Sequence, residues 1–111
     1  MTTLNDLSSK YGTLGAYCTS AAGSPVPPFA GSDAEALNGK AQDSINAQDY
    51  INDLVQQATV VQQPHIDSCS SALDTAIASM AMIGNGTPGG LSAGLVVAQI
   101  DNAVKIGLNL P

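Results

Sequence analysis

The sequence predicts an all-α fold, in which a long helical hairpin is joined by a C-terminal helix and a short N-terminal helix. Apolar residues recur at spacings of three and four along much of the chain, as they do on a helix with one buried face. Stretches rich in proline and glycine, 21–32 and 84–90, separate the periodic segments. Only 4% of the residues are aromatic, and a core of Leu, Ile, Val and Ala suits closely packed helices. The length of 111 residues predicts one small domain covering 1–111.

The N-terminal segment predicts a short helix followed by an irregular connector. Thr3 is suited to cap this helix, and Gly12 and Gly15 are expected to interrupt it. The apolar face of this helix consists of Leu4, Leu7 and Tyr11. Residues 21–32 contain three prolines and two glycines, which exclude regular structure and predict an extended connector. Phe29 is expected to anchor this connector on the body of the domain.

Two long helices, at about 33–63 and about 64–83, are predicted to form the hairpin. Ser32 and Glu35 make a capping-box pattern, with a hydroxyl at the N-cap and a carboxylate three residues later. The apolar stripe changes direction within the first helix, so we expect either a bend or two halves that face different neighbours. Pro64 is well tolerated as the first residue of a helix, so the hairpin is expected to turn there.

The last helix is predicted for about 91–106. Its main apolar face consists of Val96, Ile100, Ala103, Val104 and Gly107. Leu95 and Ile106 fall outside this face, which indicates a helix that is buried centrally or meets a partner. The run LVVAQI leaves a β-strand open as the alternative, because short β-branched runs are ambiguous. Residues 107–111 are expected to form a short C-terminal tail.

The chain is acidic but carries few charges. It has three Lys and Arg residues against nine Asp and Glu residues, and charged residues make up only 11% of it. Nucleic acids and anionic membranes are both bound mainly through Lys and Arg, so we expect no nucleic-acid partner and no membrane partner. An uncharged polar surface is poorly protected against self-association, which a protein built to assemble can exploit.

The N-terminal sequence MTTLNDLSSKYG does not resemble a secretory signal, because it lacks a basic segment followed by an apolar run. No stretch approaches the ~18 apolar residues of a membrane span. We therefore expect a product made in a host cytoplasm that either stays cytoplasmic or leaves the cell within a virion released by lysis.

The stretch 60–74 contains the only histidine, His65, and one of the two cysteines, Cys69. On a helix these two side chains share a face, because they are four residues apart. That spacing suits two ligands of one metal ion. A structural zinc site needs about four ligands, so Cys18 and an Asp would have to complete it. A Cys–His nucleophile needs an orienting group, and Asp67 points away on a helix. We therefore predict no metal, no cofactor and no enzymatic activity, with Cys69 as a core residue.

Two further patterns bear on chemistry. Gly84–Gly89 matches G-x-G-x-x-G, but it follows a predicted helix rather than a strand, so it indicates a loop rather than a dinucleotide site. Cys18 and Cys69 form an even pair, which makes a disulfide a candidate once the protein meets an oxidising environment.

These observations favour a non-enzymatic structural protein that assembles through helix faces. The leading hypothesis is a small accessory subunit of a bacteriophage capsid, neck or tail, whose partners are copies of itself or a larger protein assembly. The candidate interface residues are Met82, Leu95, Ile106 and Phe29. The alternative is a cytosolic helical adaptor that holds a partner helix in a groove. A small metal-binding or Cys/His-site protein is the remote third hypothesis.

Overall fold

The computed structural model describes residues 1–23, 32–84 and 92–111, and these parts contain four helices. The helices are α1 (Leu4–Gly23), α2 (Ser32–Gln56), α3 (Gln63–Gly84) and α4 (Ala93–Leu108). No strand occurs in the described ranges, so the all-α prediction is confirmed and the run LVVAQI is helical. Phe29 and most of the connector predicted at 21–32 lie outside the described residues.

The helices form two antiparallel pairs that stack as layers. The first layer is α1 with α2, and the second layer is α3 with α4. Ser8 Oγ donates to Asn52 Oδ1 at 2.7 Å within the first layer. Within the second layer, Ser79 Oγ donates to Gln99 Oε1 at 2.6 Å. Stacking places α1 beside α3 and α2 beside α4, and both of these neighbouring pairs run in the same direction.

Two ion pairs join the layers. Lys10 Nζ lies 2.7 Å from Asp74 Oδ1 between α1 and α3, and Lys40 Nζ lies 2.6 Å from Asp101 Oδ1 between α2 and α4. The lysine side chains are 28% and 23% exposed, whereas the two carboxylates are more than half exposed. Each pair therefore contributes at most about 1 kcal/mol to stability, and its larger effect is to fix the register of the two layers.

Both helices of the predicted hairpin are present, but the structure contradicts their predicted pairing. The first helix ends at Gln56 rather than at residue 63, and the second begins at Gln63. Within the described residues, α2 and α3 make no direct helix–helix contact, because they lie diagonally across the stack. Each of them packs against α1 and α4 instead.

The early end of α2 is set by Ala58, which has a positive φ of 52°. The Ala58 N–H donates to the Val55 carbonyl oxygen, and the Thr59 N–H donates to the Leu54 carbonyl oxygen. This is the Schellman pattern that closes many helices, and glycine is its usual residue at the position that Ala58 occupies. Residues 57–62 then carry the chain from the first layer to the second.

The N-terminal helix is continuous over 20 residues, so the expectation of a short, interrupted helix is wrong. Gly12 and Gly15 lie where α1 packs against α2. A Cβ atom on Gly12 would lie 2.8 Å from Gln48 Nε2, and one on Gly15 would lie 3.4 Å from Ile45 Cδ1. Both glycines therefore lie at a helix–helix contact inside a continuous helix and do not break it.

The core lies between the layers, and most of it was predicted from the helical period. The five residues predicted for the main face of the last helix are all buried. The buried residues of α3 include Ile66, Cys69, Leu73, Ala76, Met80 and Ile83. Residues 107–111 do not form a free tail, because α4 continues to Leu108 and Leu110 is only 4% exposed. The Tyr50 hydroxyl donates to the Leu110 carbonyl oxygen and holds this end of the chain on α2.

Candidate functional site

The thiol of Cys69 lies in the core against the hydroxyl of Tyr11. Tyr11 Oη donates to the Ala103 carbonyl oxygen at 2.5 Å and lies 3.1 Å from Cys69 Sγ. Because the single hydroxyl proton of Tyr11 goes to the carbonyl, the Cys69 thiol donates to Oη. Burial raises the pKa of both the Cys69 thiol and the Tyr11 hydroxyl. A buried, protonated thiol is a poor nucleophile and a poor metal ligand.

His65 does not share the environment of Cys69. It is exposed at the start of α3, where it borders a groove of about 390 Å³ together with Lys105 and Asn109. His65 is therefore exposed to solvent, whereas Cys69, the other member of the predicted Cys–His pair, is buried in the core. In the parts of the chain that the structure describes, no group of three or more His, Cys, Asp or Glu side chains is arranged to hold a metal ion. The absence of enzymatic activity stays a prediction.

Cys18 is also a fully buried, free cysteine. Burial raises the pKa of its thiol to about 11. It lies seven residues after Tyr11 on α1, about 10 Å along the helix axis from the level at which Cys69 sits. The fold therefore holds Cys18 and Cys69 as separate thiols, and a disulfide under oxidising conditions stays a prediction.

Met82 and Leu95, two of the predicted interface residues, lie on the outer surface of the second layer. Their side chains are 41% and 48% exposed. Met82 follows Ser79 by three residues and Leu95 precedes Gln99 by four, so both flank the hydrogen bond between Ser79 and Gln99. We call this surface the α3–α4 face. Helical spacing from Met82, Leu95 and the partly buried Ser79–Gln99 hydrogen bond assigns to it Ser68, Ala72, Thr75, Ser79 and Met82 of α3 with Leu95, Gln99, Asn102 and Ile106 of α4.

Ile106 occupies the other end of the α3–α4 face. It is partly buried against the core, and it borders the groove of about 390 Å³ together with Ser68 and Asn102. The structure thus brings three predicted interface residues, Met82, Leu95 and Ile106, onto one surface. Their role in an interface stays a prediction.

The three carboxylates of α3 and α4, Asp67, Asp74 and Asp101, are each engaged in an ion pair or a hydrogen bond. Asp74 pairs with Lys10 of α1, and Asp101 pairs with Lys40 of α2. Asp67 accepts a hydrogen bond of 2.8 Å from Gln63 Nε2, which also donates to the Thr2 carbonyl oxygen beside α1. The residues of the α3–α4 face include no carboxylate, although the chain as a whole has a net charge of −6. The exposed Lys105 borders the same groove as Ser68, Asn102 and Ile106.

The outer surface of the first layer has a different character. A shallow groove of about 590 Å³ runs between α1 and α2, and Ile45 is 37% exposed in it. Small side chains form much of its α1 wall: Gly12, Gly15, Ala16, Thr19 and Ser20. The exposed part of α2 carries the carboxylates of Glu35, Asp49 and Asp53. This layer presents an acidic surface, in contrast to the α3–α4 face.

No protein-family model, curated protein or solved structure matches this chain. Within residues 1–23, 32–84 and 92–111, no helix has the length and apolar character needed to cross a membrane.

Sequence reasoning found the apolar members of the α3–α4 face but missed its polar ones. Gln99 and Asn102 lie between Leu95 and Ile106 at helical spacings of four, three and four. That spacing places all four residues on a second side of α4. It was the feature of the sequence from which the polar members of the face could have been predicted. The position of α3 beside this second side follows only from the tertiary fold.

Proposed function

We propose that this protein is a non-enzymatic structural subunit that acts through protein–protein contacts between helix faces. The observation that supports this best is the α3–α4 face, which combines half-exposed Met82 and Leu95 with uncharged polar side chains and lacks carboxylates. Apolar anchors surrounded by polar groups that can hydrogen-bond are typical of a surface that binds protein.

The placement of the reactive side chains supports the same proposal. Both thiols lie in the core, and Cys69 uses its proton in a hydrogen bond with Tyr11. An activated cysteine would need exposure and a neighbouring positive charge, whereas burial keeps these thiols protonated. The exposed His65 is therefore left without the buried cysteine as a reaction partner.

The more specific proposal is a small accessory subunit of a bacteriophage capsid, neck or tail, made in the host cytoplasm and incorporated into the virion. Its support is the unusual surface: charged residues make up 11% of the chain, against about a quarter in typical soluble domains. A surface with so few charges offers little resistance to packing many copies side by side.

A cytosolic adaptor is the second candidate function. The groove of about 590 Å³ between α1 and α2 favours it, because small residues along one wall leave room for a partner helix. Ile45 would be the apolar contact in that groove. The exposed carboxylates of α2 would then select a partner helix with basic residues along its edge.

The test is to purify phage particles by density gradient from the lysate in which this chain is made and to quantify its peptides by mass spectrometry. We expect a fixed copy number per particle that survives a wash at high salt. Recovery of the chain only from soluble fractions would contradict the virion assignment. A soluble one-to-one complex with an unrelated protein would identify the adaptor instead.

A paired variant addresses the remote Cys/His-site hypothesis. His65→Ala combined with Cys69→Ala removes both candidate ligands. We expect incorporation into particles and metal content to match those of the wild type. A loss of bound metal together with a loss of incorporation would contradict a purely structural role.

A further inference from the structure

We infer that the α3–α4 face pairs with the same face of a second copy of this chain, so that the protein forms a two-fold homodimer. This inference rests on the proposed function, because it names the first partner of the assembly surface. It commits the face to self-association rather than to an unrelated protein.

The charge distribution of the chain favours self-association through the α3–α4 face. A chain with a net charge of −6 repels its own copies over most of its surface, so self-association is favoured where the carboxylates are absent. The α3–α4 face is such a place, because Asp74 and Asp101 form ion pairs with Lys10 and Lys40 of the first layer. Two copies that meet through this face leave Asp74 and Asp101 paired with their lysines at its edges, so their charges are compensated.

The face also has suitable anchors. Met82 and Leu95 are two of the most exposed apolar side chains within the described helices, and they lie close to each other at one end of the second layer. The hydrogen bond of 2.6 Å between Ser79 and Gln99 holds the two helices beneath them in place. A surface that is already ordered loses less conformational entropy when it binds.

The dimensions are adequate for a stable dimer. The molecule measures 41 × 22 × 18 Å, and the layers run along its longest dimension. A side of the molecule about 40 Å long and about 20 Å wide is similar in area to the ~800 Å² per partner that a standard protein–protein interface buries. Uncharged polar residues such as Thr75 and Asn102 lie about two turns away from the anchors along the same face and can hydrogen-bond across the two-fold axis.

The first layer is a poorer surface for self-association. Glu35, Asp49 and Asp53 are exposed along α2, so pairing through that layer would oppose carboxylates of the two copies. Opposed like charges at an interface disfavour the complex strongly. The contrast between the two outer surfaces selects the second layer as the dimer contact.

Sedimentation velocity of the purified full-length chain, from about 1 to about 500 µM, tests the inference. We expect the mass to rise from 11.2 kDa to twice that value as the concentration increases. Leu95→Glu places a carboxylate on each side of the interface, and we expect it to raise the dissociation constant at least about 100-fold. Met82→Glu is expected to act in the same direction.

Val60→Glu is the matched control. Val60 is 88% exposed, lies between α2 and α3, and is outside the α3–α4 face, so the same change of charge there should leave the dimer intact. Circular dichroism and thermal unfolding establish that each variant is folded. Leu95→Gln, which removes the apolar contact without adding charge, is expected to give an intermediate dissociation constant.

A strict monomer over the whole concentration range overturns the inference. So does a dimer that resists both Leu95→Glu and Met82→Glu while Ile45→Glu dissociates it, because the contact would then lie on the first layer. The proposed function fails separately, in the particle analysis. A chain that enters particles as a monomer and tolerates Leu95→Glu keeps that function and overturns only the dimer.

Discussion

Tyr11 on α1 and Gly107 on α4 occupy opposite sides of one tight contact across the stack. A Cβ atom on Gly107 would lie 2.6 Å from Cζ of Tyr11 and closer still to its hydroxyl oxygen. The hydroxyl donates to the Ala103 carbonyl oxygen on the same helix, so the tyrosine is fixed at that depth. Only glycine leaves room for the ring, and the diagonal approach of the two helices depends on it.

Gly107→Ala is therefore predicted to destabilise the fold by about 1–3 kcal/mol, as an overpacked core substitution does. Gly39→Ala is the matched control, because nothing lies within 4 Å of a Cβ at Gly39 in the middle of α2. It should stabilise the fold by up to about 1 kcal/mol, because alanine favours helix more than glycine does. Urea unfolding measures the free energy of unfolding of both variants. Equal changes for Gly107→Ala and Gly39→Ala would contradict the tight contact between Tyr11 and Gly107.

Ala58→Gly is predicted to stabilise the protein by roughly 0.5–1 kcal/mol. Ala58 holds a positive φ of 52°, which costs an L-residue about 1–2 kcal/mol, and glycine removes that cost while adding entropy to the unfolded chain. Ala78→Gly, the same substitution at an exposed position within α3, should destabilise by about 1 kcal/mol. Denaturant unfolding measures the change in the free energy of unfolding for both variants. Changes of opposite sign confirm the strained turn, whereas two decreases of similar size contradict it.

Stability is predicted to fall at alkaline pH. The pKa of Cys18 is about 11 in the fold against 9.0 for an ordinary cysteine, because burial disfavours the thiolate. The contribution of this thiol to the free energy of unfolding is fully present below pH 9 and is lost as the pH rises through 11. Burial raises the pKa values of Tyr11 and Cys69 as well, which acts in the same direction.

Urea midpoints measured from neutral pH to about pH 11 test this dependence. Cys18→Ala lowers the midpoint at every pH but should flatten its decline in the alkaline range. A midpoint that stays constant over this whole pH range would contradict the raised pKa of the buried Cys18 thiol.

Thiol reactivity is predicted to depend on unfolding. Both cysteines are 0% exposed, so an aromatic disulfide reagent should react with neither of them in the native protein and with both in denaturant. The assay is colorimetric and needs no variant. If denatured but unreduced protein yields no thiols, then Cys18 and Cys69 are joined in a disulfide. Rapid reaction of the native protein would contradict the buried positions of the thiols.

The helical period predicted the second layer well. The face from Val96 to Gly107 is buried as predicted, because all five of its residues are apolar or small, whereas the second side of α4 alternates Leu95 and Ile106 with polar residues. Pro64 also lies in the first turn of α3, where its missing N–H is not needed.

The first layer was harder to predict because its signals act at long range. Gly12 and Gly15 are read from sequence as helix breakers, whereas they lie inside a continuous helix that packs against Gln48 and Ile45 of α2. The turn at Ala58 that closes α2 contains no glycine that would mark it in the sequence. The α3–α4 face depends on which helix lies beside which, and local spacing does not contain that information.

The stacking of parallel neighbours has a consequence for folding kinetics. Contacts such as Lys10 with Asp74 and Tyr50 with Leu110 join residues 64 and 60 positions apart, so they close long loops of chain. Each layer can form early as a local pair of helices, but neither layer covers its apolar side until the other arrives. The rate of folding should therefore be limited by the meeting of two preformed halves, and it should be slower than in a bundle whose helices pack only on their sequence neighbours.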